Sequence, residues 1–339
     1  MKTPLLAFQS KGIYCAAGDF YIDPWQPVDR AVITHAHSDH ARTGMKAYLA
    51  HEDAIPVLQY RLGSEITIQG LAYNTPISIN GVQVSLHPAG HIIGSAQVRV
   101  EHKGEVWVVS GDYKTTPDLT CQPFEPVACH HFVTESTFGL PVFHWPDEKL
   151  VFEAINTWWL DCKQARKNAV IFAYSLGKAQ RIIQGLDQSI GRVFCHGAIE
   201  NTNAVLRQQG IALRATHRIL PEHTKADFEG ALIIAPPGAH ASTWMKRFGE
   251  HETGFASGWM QLRGMRRRQN FDRGFVLSDH ADWNGLLDAV RATGAEHVHV
   301  THGYSDIFAR YLNEQGIAAS PVVTAYGQED TDQLEAEAL

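Results

Sequence analysis

Three histidines and an aspartate lie within six residues, directly after an apolar segment at 31–33 that is typical of a buried strand. They are His35, His37, Asp39 and His40. Neutral imidazole is a good ligand for borderline cations such as zinc, and a carboxylate adds an oxygen donor. Because four donors this close can serve two adjacent ions, the run predicts a loop of a metal centre. A solvated His-rich loop is the alternative that the motif alone leaves open.

Two adjacent metal ions need more ligands than this loop supplies, and we expect them at the ends of other strands. Four residues meet this requirement: His91, Asp112, His280 and His302. The carboxylate follows a buried run at 106–109, where it could bridge two ions. Each residue taken singly is more often a cap or a hydrogen-bonded side chain than a metal ligand. Their recurrence at predicted strand ends is what indicates one shared site.

The length and composition limit the class of protein. A chain of 339 residues exceeds the ~250–300 residues at which single cores stop growing, so we expect two domains or one domain with a large insertion. No segment approaches the ~18 apolar residues of a membrane span, which predicts no membrane partner and a cytoplasmic location. The five cysteines include no Cys-x-x-Cys pair, which argues against a disulfide framework or a thiolate zinc site.

A basic cluster occurs late in a chain whose formal net charge is −7. With that charge, a nucleic-acid partner must be held by a local basic surface. The cluster consists of Arg263, Arg266, Arg267, Arg268 and Arg273. A solvated charged loop is the alternative to phosphate contact.

The pattern of predicted elements changes near Pro146. Before it the chain is β-rich, with strands at 82–89 and 96–109 and a hairpin tip at Lys103-Gly104. After it strands and helices alternate, which predicts a parallel, doubly wound sheet. Predicted helices occupy 148–167, 177–190, 196–209, 282–293 and 305–315, with a short one near Trp244; predicted strands occupy 170–174, 192–195, 231–235, 274–277 and 297–301.

These motifs resemble, over nearly the whole chain, the metallo-β-lactamase fold in its nucleic-acid-processing branch, the β-CASP nucleases. Glu135 in Thr-Glu-Ser-Thr, His280 in Ser-Asp-His-Ala-Asp and His302 in Thr-His-Gly resemble the three diagnostic motifs of that branch. The resemblance implies an α/β fold, a metallo-β-lactamase αββα sandwich with an inserted β-CASP α/β domain built on a parallel sheet. The nuclease domain would comprise 1–146 and 271–339, and the inserted domain 147–270.

The resemblance also implies roles for individual residues. One Zn²⁺ would be bound by His35, His37 and His91, the other by Asp39, His40 and His302, with Asp112 as the bridge; Mn²⁺ could serve in activity. Asp23 would orient the ligand loop through hydrogen bonds to metal-bound imidazoles. The catalytic residues would be His280, which protonates the leaving 3′ oxygen, Glu135, which holds that imidazole, and Asp39. A purely structural histidine is the alternative for His280.

Within the branch the chain looks most like bacterial DNA-ligase-associated exonucleases, relatives of the SNM1/Artemis DNA nucleases. This implies a two-metal exonuclease acting 5′ to 3′ in DNA repair, on single-stranded DNA or a 5′-phosphate end, with a DNA ligase and a helicase as possible pathway partners. Ser175, Gly177 and Lys178 resemble the segment that grips a terminal 5′ phosphate, and a helix cap explains them equally well. The basic cluster would line the cleft between the domains and contact backbone phosphates.

Three other functions stay open at the level of sequence. An RNA endonuclease or exonuclease of the mRNA 3′-end-processing or RNase J type is the nearest, since His302 is shared with the RNA-cleaving branch. The loop at 235–240 nevertheless departs from the form common in that branch. Ester or lactam hydrolysis shares the first ligand motif but has no use for Glu135 and His280. A non-catalytic nucleic-acid-binding scaffold has no need for a complete ligand set.

Overall fold

The computed structural model describes residues 4–240, 242–264 and 270–324. These residues divide into two compact units. Unit 1 comprises 4–143 and 280–324, and unit 2 comprises the described residues of 144–279. The sequence-based boundaries of the inserted segment were 147 and 270. The functions assigned to the two domains stay predictions.

The described residues form nineteen strands and six α-helices. Strands β1 to β19 are Leu6–Gln9, Gly12–Cys15, Phe20–Ile22, Arg30–Val32, Ala47–His51, Ile68–Leu71, Ile77–Ile79, Val82–Pro88, Ala96–His102, Glu105–Val109, His131–Thr134, Asn168–Phe172, Val193–Cys195, His217–Arg218, Leu232–Ala235, His251–Ala256, Arg273–Phe275, His297–Val300 and Ala319–Pro321. Helices α1 to α6 are Ile55–Leu62, Glu148–Gln164, Lys178–Gly185, Gly197–Gln208, Trp283–Thr293 and Ser305–Glu314. Short 3₁₀ helices cover Glu52–Ala54, Lys225–Phe228, Pro237–Ala239, Thr243–Phe248 and Gly258–Gln261. None of the helices in the described ranges is long and apolar enough to cross a membrane.

Unit 1 contains two sheets. The first has the order β1-β2-β3-β4-β5-β6 and is parallel from β3 onward. The second has the order β19-β18-β11-β10-β9-β8-β7, with antiparallel hairpins from β7 to β10 and parallel pairing from β10 to β19. The predicted hairpin tip is confirmed, because β9 and β10 pair antiparallel around Lys103 and Gly104, which have φ angles of 50° and 81°. Positive φ at both central residues is the backbone that a tight two-residue hairpin needs.

The two sheets of unit 1 face each other across a shared apolar core. Ile22 and Val32 from the first sheet pack with Val84 and Val98 from the second. The opposite face of the second sheet packs on α5 and α6 through residues such as Phe308. A sheet with an apolar face must bury that face against another layer, which explains why the two sheets and the two helices stack in layers. The predicted mixed α/β fold is confirmed.

Unit 2 is built on a single parallel sheet of order β14-β13-β15-β12-β16-β17. The predicted strand–helix alternation is therefore confirmed, and Asp147 caps α2 by accepting a hydrogen bond from Lys149 N, 2.9 Å away. Strand β16 was missed because its sequence begins with polar residues and contains a glycine. That glycine has a packing reason, since a Cβ on Gly254 would lie 2.9 Å from Phe275 and 3.0 Å from Trp158.

Candidate metal centre

Strand ends of unit 1 carry the predicted donors. Strands β4, β8, β10 and β18 each end two or three residues before one of the residues His35, His91, Asp112 and His302. Glycine at 111 allows two of these loops to approach closely, because a Cβ there would lie 2.6 Å from the Thr34 side chain, and its φ of +57° favours glycine. The sequence thus brings chemically active residues to one edge of the sandwich.

Four of the predicted ligands form one compact set: His35, His37, His91 and Asp112, whose ligand atoms lie within 4.8 Å of one another. His37 Nδ1 lies 3.1 Å from His35 Nε2 and 3.0 Å from His91 Nε2. An imidazole nitrogen carries one hydrogen or one lone pair, so it cannot hydrogen-bond fully to both neighbours. A cation can accept a lone pair from all three rings.

A second set lies beside the first and consists of His35, Asp39 and His40. His40 Nε2 is 3.5 Å from Asp39 Oδ2 and 3.5 Å from Asp112 Oδ1. The other oxygen of Asp112, Oδ2, is 3.5 Å from His35 Nε2 and 3.8 Å from His91 Nε2. His35 belongs to both sets, and the two oxygens of Asp112 face different rings, Oδ1 that of His40 and Oδ2 those of His35 and His91, which is the arrangement that a bridging ligand requires.

His302 lies next to the second set but is not a member of either set. Among the described residues, its ring nitrogens do not lie within 4.8 Å of all the ligand atoms of a set. Its ring stacks on His40 with centroids 5.3 Å apart and an interplanar angle of 20°. The backbone φ of His302 is 54°, and the Ser136 hydroxyl, which has one hydrogen to donate, lies within hydrogen-bond distance of the carbonyls of Thr301 and His302. The structure thus brings His302 to the edge of the centre.

The donor set fits a divalent metal such as zinc. Ligand atoms about 2.0–2.1 Å from a tetrahedral zinc ion lie about 3.3–3.4 Å from one another. The contacts described above run from 3.0 to 3.8 Å. The donors are imidazole nitrogens and carboxylate oxygens, and His35, His91 and Asp112 are buried. Distance, atom type and burial all agree, so these residues can hold metal ions.

The charges of the centre are strongly coupled. Burial, with a contribution from His40, lowers the pKa of His35 well below its ordinary value. At His40 burial acts in the same direction, but Asp112, Asp39 and Asp23 outweigh it and raise the pKa well above the ordinary value. Asp112 is buried, yet His40 holds its pKa well below the usual range. The site therefore keeps an ionised carboxylate out of water, which favours a bound cation.

Asp23, the predicted orienting residue, contacts the ligand loop through its carboxylate. Its carboxylate accepts hydrogen bonds from Thr34 N at 2.8 Å and from Thr34 Oγ1 at 2.6 Å. His40 Nδ1 lies 2.7 Å from Asp23 Oδ2. A carboxylate on Nδ1 fixes the ring so that Nε2 carries the lone pair toward a metal.

Glu135 and His280 form a pair beside the donor set. His280 Nδ1 lies 2.9 Å from both carboxylate oxygens of Glu135, and one of these oxygens also accepts Tyr113 N at 2.8 Å. Donor atoms of Asp112, Glu135 and His280 lie within 4.8 Å of one another. The imidazole ring is thus held in one orientation at the edge of the centre.

Three residues that contact the loops were missed by sequence reasoning. Ser95 Oγ accepts hydrogen bonds from the backbone N of His91 and Ile92, at 3.1 and 3.2 Å. Thr34 anchors Asp23, and Arg61 donates to the carbonyl of Ala36. Only the Gly-Ser pair after His91 offered a signal, since a serine in a glycine turn commonly bonds to nearby backbone.

Two of the three predicted phosphate-binding residues of unit 2, Gly177 and Lys178, already have protein partners. Gly177 N donates to Gln180 Oε1 at 2.7 Å, which is the helix-cap alternative left open by the sequence. Lys178 is 4% exposed, and its Nζ lies 3.3 Å from Asp279 Oδ2. Ser175 Oγ is buried and has no hydrogen-bond partner among the residues that the structure describes. Phosphate contact by this segment stays a prediction.

The basic cluster falls largely outside what can be described. Arg263 is exposed, as is Arg273 at the start of β17. The positions of Arg266, Arg267 and Arg268 lie outside the described residues. Its contact with phosphate also stays a prediction.

Fold and site together define a mixed α/β protein with a buried His/Asp centre that could bind metal, and comparison with known proteins agrees with that class. No protein-family model matches the chain. It is 31% identical over 313 residues to a protein named Probable DNA ligase from Opitutus terrae, a match that covers 91% of this chain and 30% of that protein. It is 29% identical over 124 residues to Endoribonuclease YSH1 of Saccharomyces cerevisiae, covering 36% of this chain and 16% of that protein.

A third relative is the Cleavage and polyadenylation specificity factor subunit 3 of Dictyostelium discoideum, 27% identical over 126 residues, or 36% of this chain and 16% of that protein. The chain thus spans less than a third of the length of each of these three relatives. One of the three names includes a DNA ligase activity and another an endoribonuclease activity. The ligase and endoribonuclease activities belong to the proteins so named.

Proposed function

We propose that this chain is a β-CASP nuclease with a metallo-β-lactamase catalytic domain, and that it hydrolyses DNA phosphodiester bonds exonucleolytically, from the 5′ end. The observation that carries the proposal is the position of Asp112, whose Oδ1 faces the His40 ring while its Oδ2 faces the His35 and His91 rings. The adjacent Glu135–His280 pair supports it, because lactam hydrolysis has no use for this pair. Similarity to an endoribonuclease and to a probable DNA ligase supports a nucleic-acid substrate.

The metal ions proposed are two Zn²⁺, with Mn²⁺ as an alternative in activity. Their ligands would be His35, His37 and His91 for one, Asp39, His40 and His302 for the other, and Asp112 for both. Metal ions held there activate a water molecule and stabilise the negative charge that develops on phosphate oxygens. Asp23 orients the imidazole of His40 by its contact with Nδ1.

The role proposed for His280 is protonation of the leaving 3′ oxygen. Its Nδ1 is engaged with Glu135, so the proton transferred is the one on Nε2. Glu135 stabilises the charged imidazolium and keeps the ring in place, as its hydrogen bonds to His280 and to Tyr113 N support. A general acid of this kind contributes about 10²–10⁴-fold to the rate.

DNA is proposed as the substrate because the similarity to the probable DNA ligase extends over 91% of the chain. The same proposal includes a role in DNA repair beside a DNA ligase and a helicase, and a cytoplasmic location. It also includes contact with phosphate by Ser175, Lys178 and the basic cluster. RNA is the second candidate, because the similarity to Endoribonuclease YSH1 covers 36% of the chain.

Matched oligonucleotides test the substrate and the polarity. Single strands of one sequence, as DNA and as RNA, each with a 5′ phosphate or a 5′ hydroxyl and a label at one end, are incubated with the zinc-loaded or manganese-loaded chain. We expect DNA with a 5′ phosphate to be shortened from that end. Faster cleavage of RNA than of DNA would replace the DNA substrate by the RNA candidate, and internal cuts in either strand would contradict exonucleolytic cleavage.

A further inference from the structure

A second histidine cluster lies on unit 1, away from the candidate metal centre. His131 begins β11, and His297 and His299 lie on the adjacent strand β18, on the same face of the sheet. The register pairs His131 with His297, and His299 is two residues further along β18. Residues of the metal centre follow the carboxyl ends of these two strands, whereas this cluster begins at their amino ends. The nuclease proposal gives it no role.

The three rings lie close together and are partly exposed. His131 Nδ1 is 3.3 Å from His299 Nε2, and the ring centroids of His297 and His299 are 4.6 Å apart. His297 Nε2 lies 2.9 Å from Ser320 Oγ, so two of the three rings converge and the third contacts a hydroxyl. The three rings are not among the described groups whose donor atoms all lie within 4.8 Å of one another, so a shared site needs the His297 ring to turn from Ser320 toward the other two.

Packing and charge around the cluster suit a cation. Trp107 stacks on His131 with centroids 4.1 Å apart and an interplanar angle of 11°, which holds that ring. Glu105 Oε1 accepts the Trp107 Nε1 hydrogen and thus places a carboxylate beside the cluster. Burial lowers the pKa of His131, and burial with the neighbouring His297 lowers the pKa of His299 to about 3. Both rings are therefore neutral at pH 7, the state in which imidazole binds metal.

We propose that His131, His297 and His299 form a second, surface site for a late first-row divalent cation such as zinc or copper. The pair of converging nitrogens from His131 and His299 provides the first two ligands. His297 provides the third by exchanging its contact with Ser320, and water completes the coordination on the exposed side. Imidazole donors select zinc, copper and nickel over magnesium or calcium, which prefer oxygen ligands. The site is independent of the nuclease proposal.

Zinc counting tests the site. The full chain is stripped with a chelator and dialysed against graded zinc, and bound zinc per chain is measured by atomic absorption. We expect the wild type to bind one more ion, with weaker affinity, than the double variant H131Q/H299Q, and H102Q to match the wild type. His102 is the matched control, because it lies on the same sheet outside the cluster. Equal zinc binding by the double variant and the wild type would overturn the proposal.

Because the double variant can fail to fold, a second measurement uses the wild type alone. Diethyl pyrocarbonate modifies accessible imidazoles, and mass spectrometry reports which ones. Zinc in excess of the main centre is expected to slow the modification of His131 and His299 at least tenfold, with His102 unaffected. Modification of His131 and His299 at the same rate with and without zinc would overturn the proposal, whatever the behaviour of the variant.

Discussion

The substitution D23N isolates the orienting role of Asp23, and its effect can be worked out from the structure. Asp23 has a φ of 42°, a left-handed conformation that asparagine tolerates, so the backbone is preserved. The amide oxygen can still accept the hydrogen of Thr34 N. What is lost is the Oδ2 acceptor, which has the charge-assisted contact of 2.7 Å with His40 Nδ1 and also accepts the Thr34 hydroxyl at 2.6 Å. Hydrogen bonds to charged groups contribute about 1.5–3 kcal/mol, and ~1.4 kcal/mol is a tenfold change in affinity.

The metal affinity of D23N should therefore fall roughly ten- to hundredfold, the range usual for a lost partner of a metal-bound histidine. Competition with a fluorescent zinc chelator measures it. The control is D19N, because Asp19 is also in the left-handed region, with a φ of 54°, and its carboxylate accepts the exposed Tyr14 hydroxyl instead. Unchanged zinc affinity in D23N, with folding intact, would refute the reasoning that His40 binds metal through Nε2.

Three further substitutions have expected outcomes. E135Q should lower the rate of phosphodiester cleavage about 10²-fold or more without changing metal content, because the imidazolium of its histidine partner loses its counter-charge. K178M should lower the free energy of unfolding by roughly 1–3 kcal/mol in urea titrations, because it leaves the buried Asp279 with fewer partners. G111A should cost roughly 2–4 kcal/mol in the same titrations, because it adds left-handed strain to an overlap with Thr34.

Each of these substitutions has a control or a contrary outcome. Loss of zinc in E135Q would assign Glu135 to metal binding instead of to His280. K149M removes an exposed lysine of α2 and should leave stability unchanged; equal stability of K178M and wild type would mean that the Asp279 ion pair contributes nothing. Gly81 has a φ of +81°, and a Cβ added there meets open space. The substitution G81A therefore measures the stability cost of left-handed backbone strain alone. If G111A lowers the free energy of unfolding no more than G81A does, the overlap with the Thr34 side chain does not destabilise the fold.

The sequence predicted that several histidines and an aspartate lie together. His35, His91 and Asp112 were singled out because each follows an apolar run, and the strands before them, β4, β8 and β10, all end at one edge of the sandwich. The alternation of strands and helices after Pro146 was also predicted from the sequence, because the periodicity of apolar residues differs between strands and helices. Both results depend on patterns that are local in sequence.

Contacts between distant residues were beyond sequence reasoning. The ion pair of Lys178 with Asp279 changes the environment of a lysine that a local motif assigns to phosphate. The bond from Thr34 to Asp23 depends on the pairing of β3 with β4, which no local pattern specifies. Helix α1 was missed because only Val57 and Leu58 are buried among its eight residues, too few to mark an apolar face.

Replacement of Asp112 tests the central claim most directly, because this one carboxylate addresses both sets of imidazoles. The wild type and D112A are stripped of metal, reloaded with zinc or manganese, and assayed for metal content and for cleavage of 5′-phosphorylated, end-labelled DNA and RNA. We expect the wild type to lose activity on stripping and regain it on reloading, whereas D112A binds less metal and cleaves neither strand. Full cleavage by D112A would contradict the account.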